Sequence, residues 1–301
     1  MRVAALFKTI VKHALVRRVE RRWRGRKPGA ARAHGLEGEL VVSLTSFPAR
    51  FPTLPLTLKC LLTQTVKPDR LILWLGGEDF AALPAEVLSL RTYGLDIRIC
   101  ADHRSYNKII PALTTFPGAV IVTADDDLYY WPDWLEGLTS ACDPDSAEVL
   151  CHRAHRITTD RHGMPQAYGT WEHNVGAVSP SSLLFPTGVG GVLYPPGALH
   201  RDVLDSATYL HLSPTNDDIW LYFMARRNGA TFRKVGRRRL IVTWPQSQHV
   251  SLRSGNVPAG GGNDRQMAAM AARYGFPPVR RHSNRSDGLC ERQWASDSSS
   301  E

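Results

Sequence analysis

The chain has 301 residues, 43% of them hydrophobic and 22% charged. That balance excludes collagen, coiled coil and wholesale disorder, and leaves enough apolar mass for one large core or two small ones. The net charge of +9 is local: ten of the 37 basic residues and one of the 28 acidic ones fall in residues 1–27, and the remaining 27 of each sign cancel, so the body carries none of the basic excess expected of a nucleic-acid binder.

Residues 3–15 read as an amphipathic helix with Val3, Leu6, Phe7, Ile10, Val11 and Ala14 on one face. Arginines follow through Arg26. A basic amphipathic segment suits an anionic membrane surface, and it equally suits packing on the body with its basic end in solvent. No cleavage-site pattern follows a long apolar core, which argues against a secretory signal. No stretch approaches the roughly 20 apolar residues of a membrane span. Five cysteines (Cys60, Cys100, Cys142, Cys151, Cys290) without CxxC spacing read as reduced thiols of a cytosolic protein.

From residue 38 the pattern alternates: strand in ELVVSLTSF, helix in TLPLTLKCLLTQT, strand in RLILWL, helix in LPAEVLSLRTYG, strand in LDIRIC, helix in NKIIPALTTFPG, strand in AVIVTA. Such alternation predicts a parallel sheet with crossover helices, whose ligands bind at the carboxyl ends of the strands. The second half is less regular. AEVLCHRAHRI and RRLIVTW read as strands, and the long segment around GVGGVLY as loops and short strands. NDDIWLYFMARRNG reads as a capped helix stopped by Gly229, and GGGNDRQMAAMAARYG as a glycine loop followed by a helix capped near Asn263 or Asp264. Residues 1–35 are expected to form a basic helix and linker, 38–278 the folded domain, and 279–301 a polar tail.

The chemistry concentrates where VIVTA runs into Asp125, Asp126 and Asp127. Three adjacent carboxylates repel unless neutralised. They are hard oxygen ligands suited to Mg²⁺ or Mn²⁺, which in turn would hold a nucleotide diphosphate. In an extended segment Asp125 and Asp127 face one way and Asp126 the other, which makes Asp127 with Asp125 the expected metal ligands. The plainer alternative is an acidic turn capping a helix near 131–138.

TSFPAR, LTLKCLLTQTVKPDRLILWL, YNKIIPAL, IVTADDDLYY, GVGGVLYPPG, NDDIWL and GGGNDRQ, in that order over Glu39 to Gly275, resemble family-two-like glycosyltransferases of the A-type fold, of the bacterial polysaccharide or lipopolysaccharide kind. The resemblance implies a Rossmann-type nucleotide-binding sheet with a mixed acceptor half. It implies transfer, by inversion, of a sugar from a nucleotide diphosphate sugar to a glycan or lipid-linked hydroxyl at the inner membrane face. It assigns Thr45, Ser46, Arg50, Lys108, Asp125, Asp126, Gly190 and Gly191 to the nucleotide sugar, and Asp125, Asp127 and His249 to the metal. Asp218 or Asp217 becomes the base. Asn107 joins Lys108 as a phosphate candidate, Glu78 or Asp79 stands where a base-recognising acid is usual, and Gly260 to Gly262 would hinge a lid. Trp171, Glu172 and His173 have the character of a sugar-stacking group. Two other functions remain to be weighed: a non-catalytic nucleotide-sugar-binding relative, and a phosphatase of the haloacid dehalogenase type, from whose motif DDDLY departs.

Overall fold

The computed structural model describes residues 2–27, 29–176, 179–245, 247 and 262–276. The first half runs α1 (Arg2–Arg24), β1 (Leu40–Thr45), α2 (Leu54–Leu62), β2 (Arg70–Gly76), α3 (Ala85–Ser89), β3 (Leu95–Cys100), α4 (Ile110–Thr115) and β4 (Val120–Thr123). The second runs α5 (Trp134–Thr139), β5 (Val149–Cys151), β6 (Ala154–Arg156), β7 (Leu184–Pro186), β8 (Val192–Tyr194), α6 (Ser206–Leu212), α7 (Asp217–Arg227), β9 (Phe232–Lys234) and α8 (Gly262–Tyr274).

Seven strands form one sheet in the order β3-β2-β1-β4-β8-β5-β9, and β6 pairs with β7 in a small antiparallel sheet. β1 is parallel to β2 and β4, and β2 to β3, whereas β8 runs antiparallel to β4 and β5. This is the mixed α/β architecture with a mostly parallel, Rossmann-like sheet that the alternation predicts. Period-two alternation sorts the side chains between its faces. Leu40, Val42 and Leu44 pack with α2, α3 and α5; Val41, Ile72 and Ile121 pack with α4, α7 and α8. Burial on both faces explains why the parallel strands read as continuous apolar runs.

The topology positions the site. β1, β2 and β4 are parallel, so Thr45, Gly76 and Thr123 end at the same edge of the sheet. Because β8 is antiparallel to β4, with Val192 opposite Thr123, the glycines just before β8 enter at that edge too.

Two expected strands are corrected. AEVLCHRAHRI splits into β5 in the main sheet and β6 in the small one. RRLIVTW forms no strand: Leu128 bridges Thr243, Tyr129 N–H donates to Val242 O at 2.9 Å and Trp244 N–H to Asp127 O at 3.0 Å, and so short a partner segment supports no ladder. The first helix is also longer than predicted. Its packing stripe continues through Leu15, Val16, Val19 and Trp23, whereas Ile10 is 57% exposed. Trp23 meets Tyr93 edge-on, with centroids 4.9 Å apart, and the Arg26 guanidinium lies 3.6 Å above the indole. The buried Lys59 ammonium of α2 reaches Glu20 of α1 and Glu86 of α3, both at 2.6 Å. Beyond Val11, then, the described part of α1 packs on the body. No helix among the described residues is long and apolar enough to cross a membrane.

Lys59 ties three helices together through two carboxylates, one of them in α1. Lys59→Met should lower unfolding stability by about 1–3 kcal/mol. It should also speed amide exchange in α1 more than in α7, as hydrogen-exchange mass spectrometry would read.

Candidate active site

β4 ends at Thr123, so the acidic triplet lies in a turn and strand alternation does not govern it. This corrects the expected facing. Asp126 and Asp127 turn together toward the short 3-10 helix Pro48–Arg50 after β1, and Asp125 turns toward Lys108. Arg50, buried, pairs with Asp127 and lies 3.9 Å from Asp126 Oδ1. Ser46 Oγ donates to Asp126 Oδ2 at 2.6 Å. Thr57 of α2 donates to the carbonyls of Asp126 and Leu128 at 2.8 and 3.2 Å, and itself accepts the Trp244 indole N–H at 2.7 Å. The Asp125 amide donates to the Tyr130 hydroxyl at 2.7 Å. Thr57, Trp244 and Tyr130 thus shape the turn. Of the three, only Thr57 carries a signal in the sequence, as a polar residue among the leucines of α2. The triplet caps no helix: Asp133 occupies the N-cap position of α5.

The second cluster approaches from α7. Asn216 caps that helix by accepting the Ile219 amide at 3.3 Å, which leaves Asp217 and Asp218 for other partners. Asp217 Oδ2 is 2.9 Å from Lys108 Nζ, and Asp218 Oδ2 accepts the Gly188 amide at 2.9 Å. Lys108 Nζ also lies 3.6 Å from Asp125 Oδ1. One ammonium therefore spans the two carboxylate groups. A Cβ on Gly188 would stand 2.8 Å from Lys108 Nζ and 2.9 Å from Asp218 Oδ1, so a larger residue there would have to push these groups aside. Gly190 and Gly191 serve the same loop differently. Both have positive φ, the Gly190 carbonyl accepts the Trp134 indole N–H at 2.6 Å, and a Cβ on Gly191 would lie 2.6 Å from that indole.

Among the described residues, five carboxylates here meet two cations, Arg50 and Lys108. Burial pushes Asp126 up to about 7, helped by Asp127 and Asp125 and opposed by Ser46 and Arg50. Burial and the neighbouring Asp217 push Asp218 up to about 7, against Lys108 and the Gly188 amide. Asp125 is raised by burial too, with Lys108 opposing. Burial acts against the charge of Lys108, but Asp217, Asp125 and Asp218 outweigh it and hold the ammonium well above its ordinary value. A cluster with more carboxylates than cations suits a further cation of hard character. Asp125 is the most open donor, with 22% of its side chain exposed against 12% for Asp126 and 10% for Asp127. No three His, Cys, Asp or Glu side chains among the described residues are grouped to hold a metal by themselves. His249 lies outside the described residues.

The other expected residues scatter. Thr45 Oγ1 donates to the Trp74 carbonyl at 2.9 Å. Asn107 is buried and holds the loop after β3, with Oδ1 accepting the His103 amide at 2.8 Å. Glu78 is exposed, and Asp79 sits beside Asp102, whose charge adds to burial in raising the Asp79 carboxyl. Trp171 is core, its indole donating to Gln166 O at 2.9 Å, while Glu172 pairs with Arg156 at 3.4 Å and His173 contacts Tyr168 O. Asp264 does not cap its helix: α8 starts at Gly262 and Asp264 Oδ1 accepts the Tyr168 amide at 2.6 Å. Of the expected hinge, only Gly262 is among the described residues.

Sequence reasoning missed a buried polar network that braces α7. Gln266 Oε1 accepts from Ser213 Oγ at 3.2 Å and the Thr215 amide at 3.1 Å, and its Nε2 donates to Thr215 Oγ1 at 3.0 Å. Asn216 Nδ2 donates to Asn263 Oδ1 at 2.8 Å. The Tyr106 hydroxyl closes the set on Ser213 O at 2.6 Å. α8 thereby grips the capping residue of the helix that carries both acids.

Asp218 binds a proton in the folded chain at pH values where the unfolded carboxyl, near 3.9, has released it. That stabilisation is complete below about pH 4 and lost as pH rises through about 7. Asp218→Asn should therefore gain on wild type by about 2–4 kcal/mol between pH 4 and 8, read by denaturant melts in chelator. Gln266→Leu should cost about 1–3 kcal/mol by removing its three hydrogen bonds to Ser213 and Thr215 in the turn before α7.

No family model matches the chain, and no curated protein does. Its structural neighbours are glycosyltransferases of the A-type fold and nucleotidyltransferases. It is 15% identical to residues 1–349 of TarS from S. aureus, covering 78% of this chain and 71% of that one with a TM-score of 0.44. It is 11% identical to the mannosyltransferase PcManGT from Pyrobaculum calidifontis, solved with GDP-Man and Mn²⁺, covering 89% and 84% with a TM-score of 0.40. It is 12% identical to a 4-diphosphocytidyl-2C-methyl-D-erythritol synthase from Anaerococcus prevotii, covering 78% and 95% with a TM-score of 0.39.

Proposed function

We propose that the chain is a glycosyltransferase that moves a sugar from a nucleotide diphosphate sugar onto a hydroxyl acceptor, at a site built on Asp125–Asp127 and Asp217–Asp218. The observation that carries this reading is the single ammonium of Lys108 between Asp125 on the sheet edge and Asp217 on α7. It brings a diphosphate-side acid and an acceptor-side acid within one side chain's reach, as transfer between two bound substrates requires.

Asp218 is the base. A carboxyl raised to about 7 can take a proton from an acceptor hydroxyl near neutral pH, and the Gly188 amide fixes which oxygen faces the protein. Lys108 and Arg50 supply positive charge where a diphosphate leaves, and Ser46 orients Asp126. Mn²⁺ or Mg²⁺ would suit these hard oxygen donors, with Asp125 as the more open ligand and Asp127, which here pairs with Arg50, as the second; bound there it would supply Lewis-acid neutralisation of the phosphates. His249 remains a candidate third ligand. Attack by the hydroxyl on the anomeric carbon opposite the diphosphate inverts that centre. The nucleotide itself is assigned to Thr45, Ser46, Arg50, Lys108 and Asp126, and the sugar to the loop of Gly190 and Gly191.

The acceptor is an envelope glycan or lipid-linked saccharide, and the protein sits at the inner membrane face. The exposed Arg17, Arg21 and Arg24 of α1 support that placement. Reversing these three to Glu should abolish sedimentation with vesicles containing anionic lipid while leaving the melting temperature within a few degrees.

Calorimetry with UDP, GDP, CDP and ADP should find one nucleotide whose affinity falls at least tenfold in chelator, and Asp125→Asn should lose that metal dependence. Asp218→Asn should retain nucleotide affinity and lose more than a hundredfold of transfer. Metal-dependent release of phosphate from p-nitrophenyl phosphate, with no nucleotide binding, would replace this reading with a hydrolase.

A further inference from the structure

β3 (Leu95–Cys100) is the outer strand of the seven-stranded sheet, and among the described residues it pairs only with β2. An open edge presents unpaired backbone N–H and C=O groups, a template for another strand. Prolines and bulges commonly blunt such edges. β3 contains no proline, and its register with β2 runs unbroken from Leu95 to Cys100. Leu95 and Ile97 face the cluster that holds Val87 and Leu90 of the preceding helical segment. Ile99 continues that face by period two, yet it is 59% exposed.

The other face of the strand carries Asp96 and Arg98. Arg98 Nε donates to Asp96 Oδ2 at 2.7 Å, and the guanidinium lies over the rings of Trp74 and Phe116. Both charged side chains remain about one-third exposed, at 38% and 31%. Charges on an edge discourage pairing with an arbitrary strand. They do not discourage pairing with a second copy in one register. Two copies related by a two-fold axis perpendicular to the sheet join antiparallel, and the residues opposed then lie on one face. An axis at Asp96 would set Asp96 against Asp96, and an axis at Arg98 would set Arg98 against Arg98. Like charges directly opposed are destabilising. An axis at Ile97 sets each Asp96 against Arg98 of the second copy, and each Leu95 against its Ile99.

We propose that β3 is a self-association edge, through which two copies of this chain join their sheets antiparallel about a two-fold axis at Ile97. Backbone hydrogen bonds and the burial of Ile99 hold the pair, and the ion pairs select its register. Arg98 meets Asp96 of its own chain through Nε, which leaves the terminal N–H groups of its guanidinium for a second carboxylate. In the sheet order the strand carrying the acidic triplet, β4, lies three places in from this edge, so the pairing is independent of the transferase reading.

Sedimentation velocity on the full chain should show a monomer–dimer equilibrium. The β3 amides should exchange more slowly as the chain is concentrated, as hydrogen-exchange mass spectrometry would read. Arg98→Asp and Asp96→Arg each set like charges against each other twice, and each should weaken dimerisation at least tenfold. An equimolar mixture of these two variants should dimerise again, because each presents only the charge that the other lacks; a variant that had merely misfolded would not be rescued by mixing. Ile99→Lys, which leaves the ion pair in place, should also weaken the dimer at least tenfold. A monomer at every concentration, a dimer whose β3 amides gain no protection, or charge variants that dimerise like the wild type would overturn the proposal. So would a mixture that stays monomeric while each variant melts like the wild type.

Discussion

The Lys108 ammonium, 2.9 Å from Asp217 and 3.6 Å from Asp125, joins acids carried by two separate elements. Asp125 follows β4 at the sheet edge, and Asp217 opens α7, which packs on the sheet face of Val41 and Ile121. A lysine taken out of water is costly unless carboxylates surround it, and carboxylates so crowded are costly without a cation. Each group makes the other tolerable, so the arrangement is all or nothing. It also sets the local sequence. A Cβ at 188 would stand in the space of the ammonium and the Asp218 carboxylate, so a larger residue there would have to displace one of them.

What fixes Asp217 and Asp218 lies behind them. The cap of α7 is gripped by Asn263, and the turn before it by Gln266, with Ser213, Asn263 and Gln266 buried and Thr215 and Asn216 half-buried. A fully satisfied buried network has one good arrangement and many poor ones, so it specifies position more than it adds stability. Asp264 extends that grip to Tyr168 in the β6–β7 region. Three segments distant in sequence are thus referenced to one helix terminus.

The first half of the fold was legible because β1, β2 and β4 are buried on both faces and the segments of α3 and α4 run into Gly94 and Pro117, so periodicity and punctuation agree there. Asp218, Lys108 and the triplet were legible as chemistry in the wrong place for a core. The partnerships were not. Strand alternation mis-assigned Asp126 and Asp127 because the strand stops at Thr123, two residues before the first acid, and a turn obeys no period. RRLIVTW has strand composition but lacks a neighbour long enough to pair with, and pairing is a property of the partner. Trp171 looked like a sugar platform by residue type, and only burial reveals it as core. Gln266 and Asn263 looked like ordinary helix polar residues, since nothing local distinguishes a solvated amide from a satisfied buried one.

Burial sets the electrostatics of the site and gives the acids a cost in folding. Burial raises Asp126 and Asp218 to about 7, so the folded chain at neutral pH keeps carboxyls half ionised in a place where full ionisation opposes folding. A core chosen for stability alone would replace these acids by amides or apolar groups. Among the described residues five carboxylates face two cations, an acidic excess that a cationic ligand would offset on binding. Ligand affinity and folded-state cost are then the same free energy seen from two sides: the more crowded the acids are when empty, the more a cation gains by joining them. That linkage predicts a site that is soft when alone and rigid when loaded, with Lys108 the group that must share its carboxylates when the cation arrives.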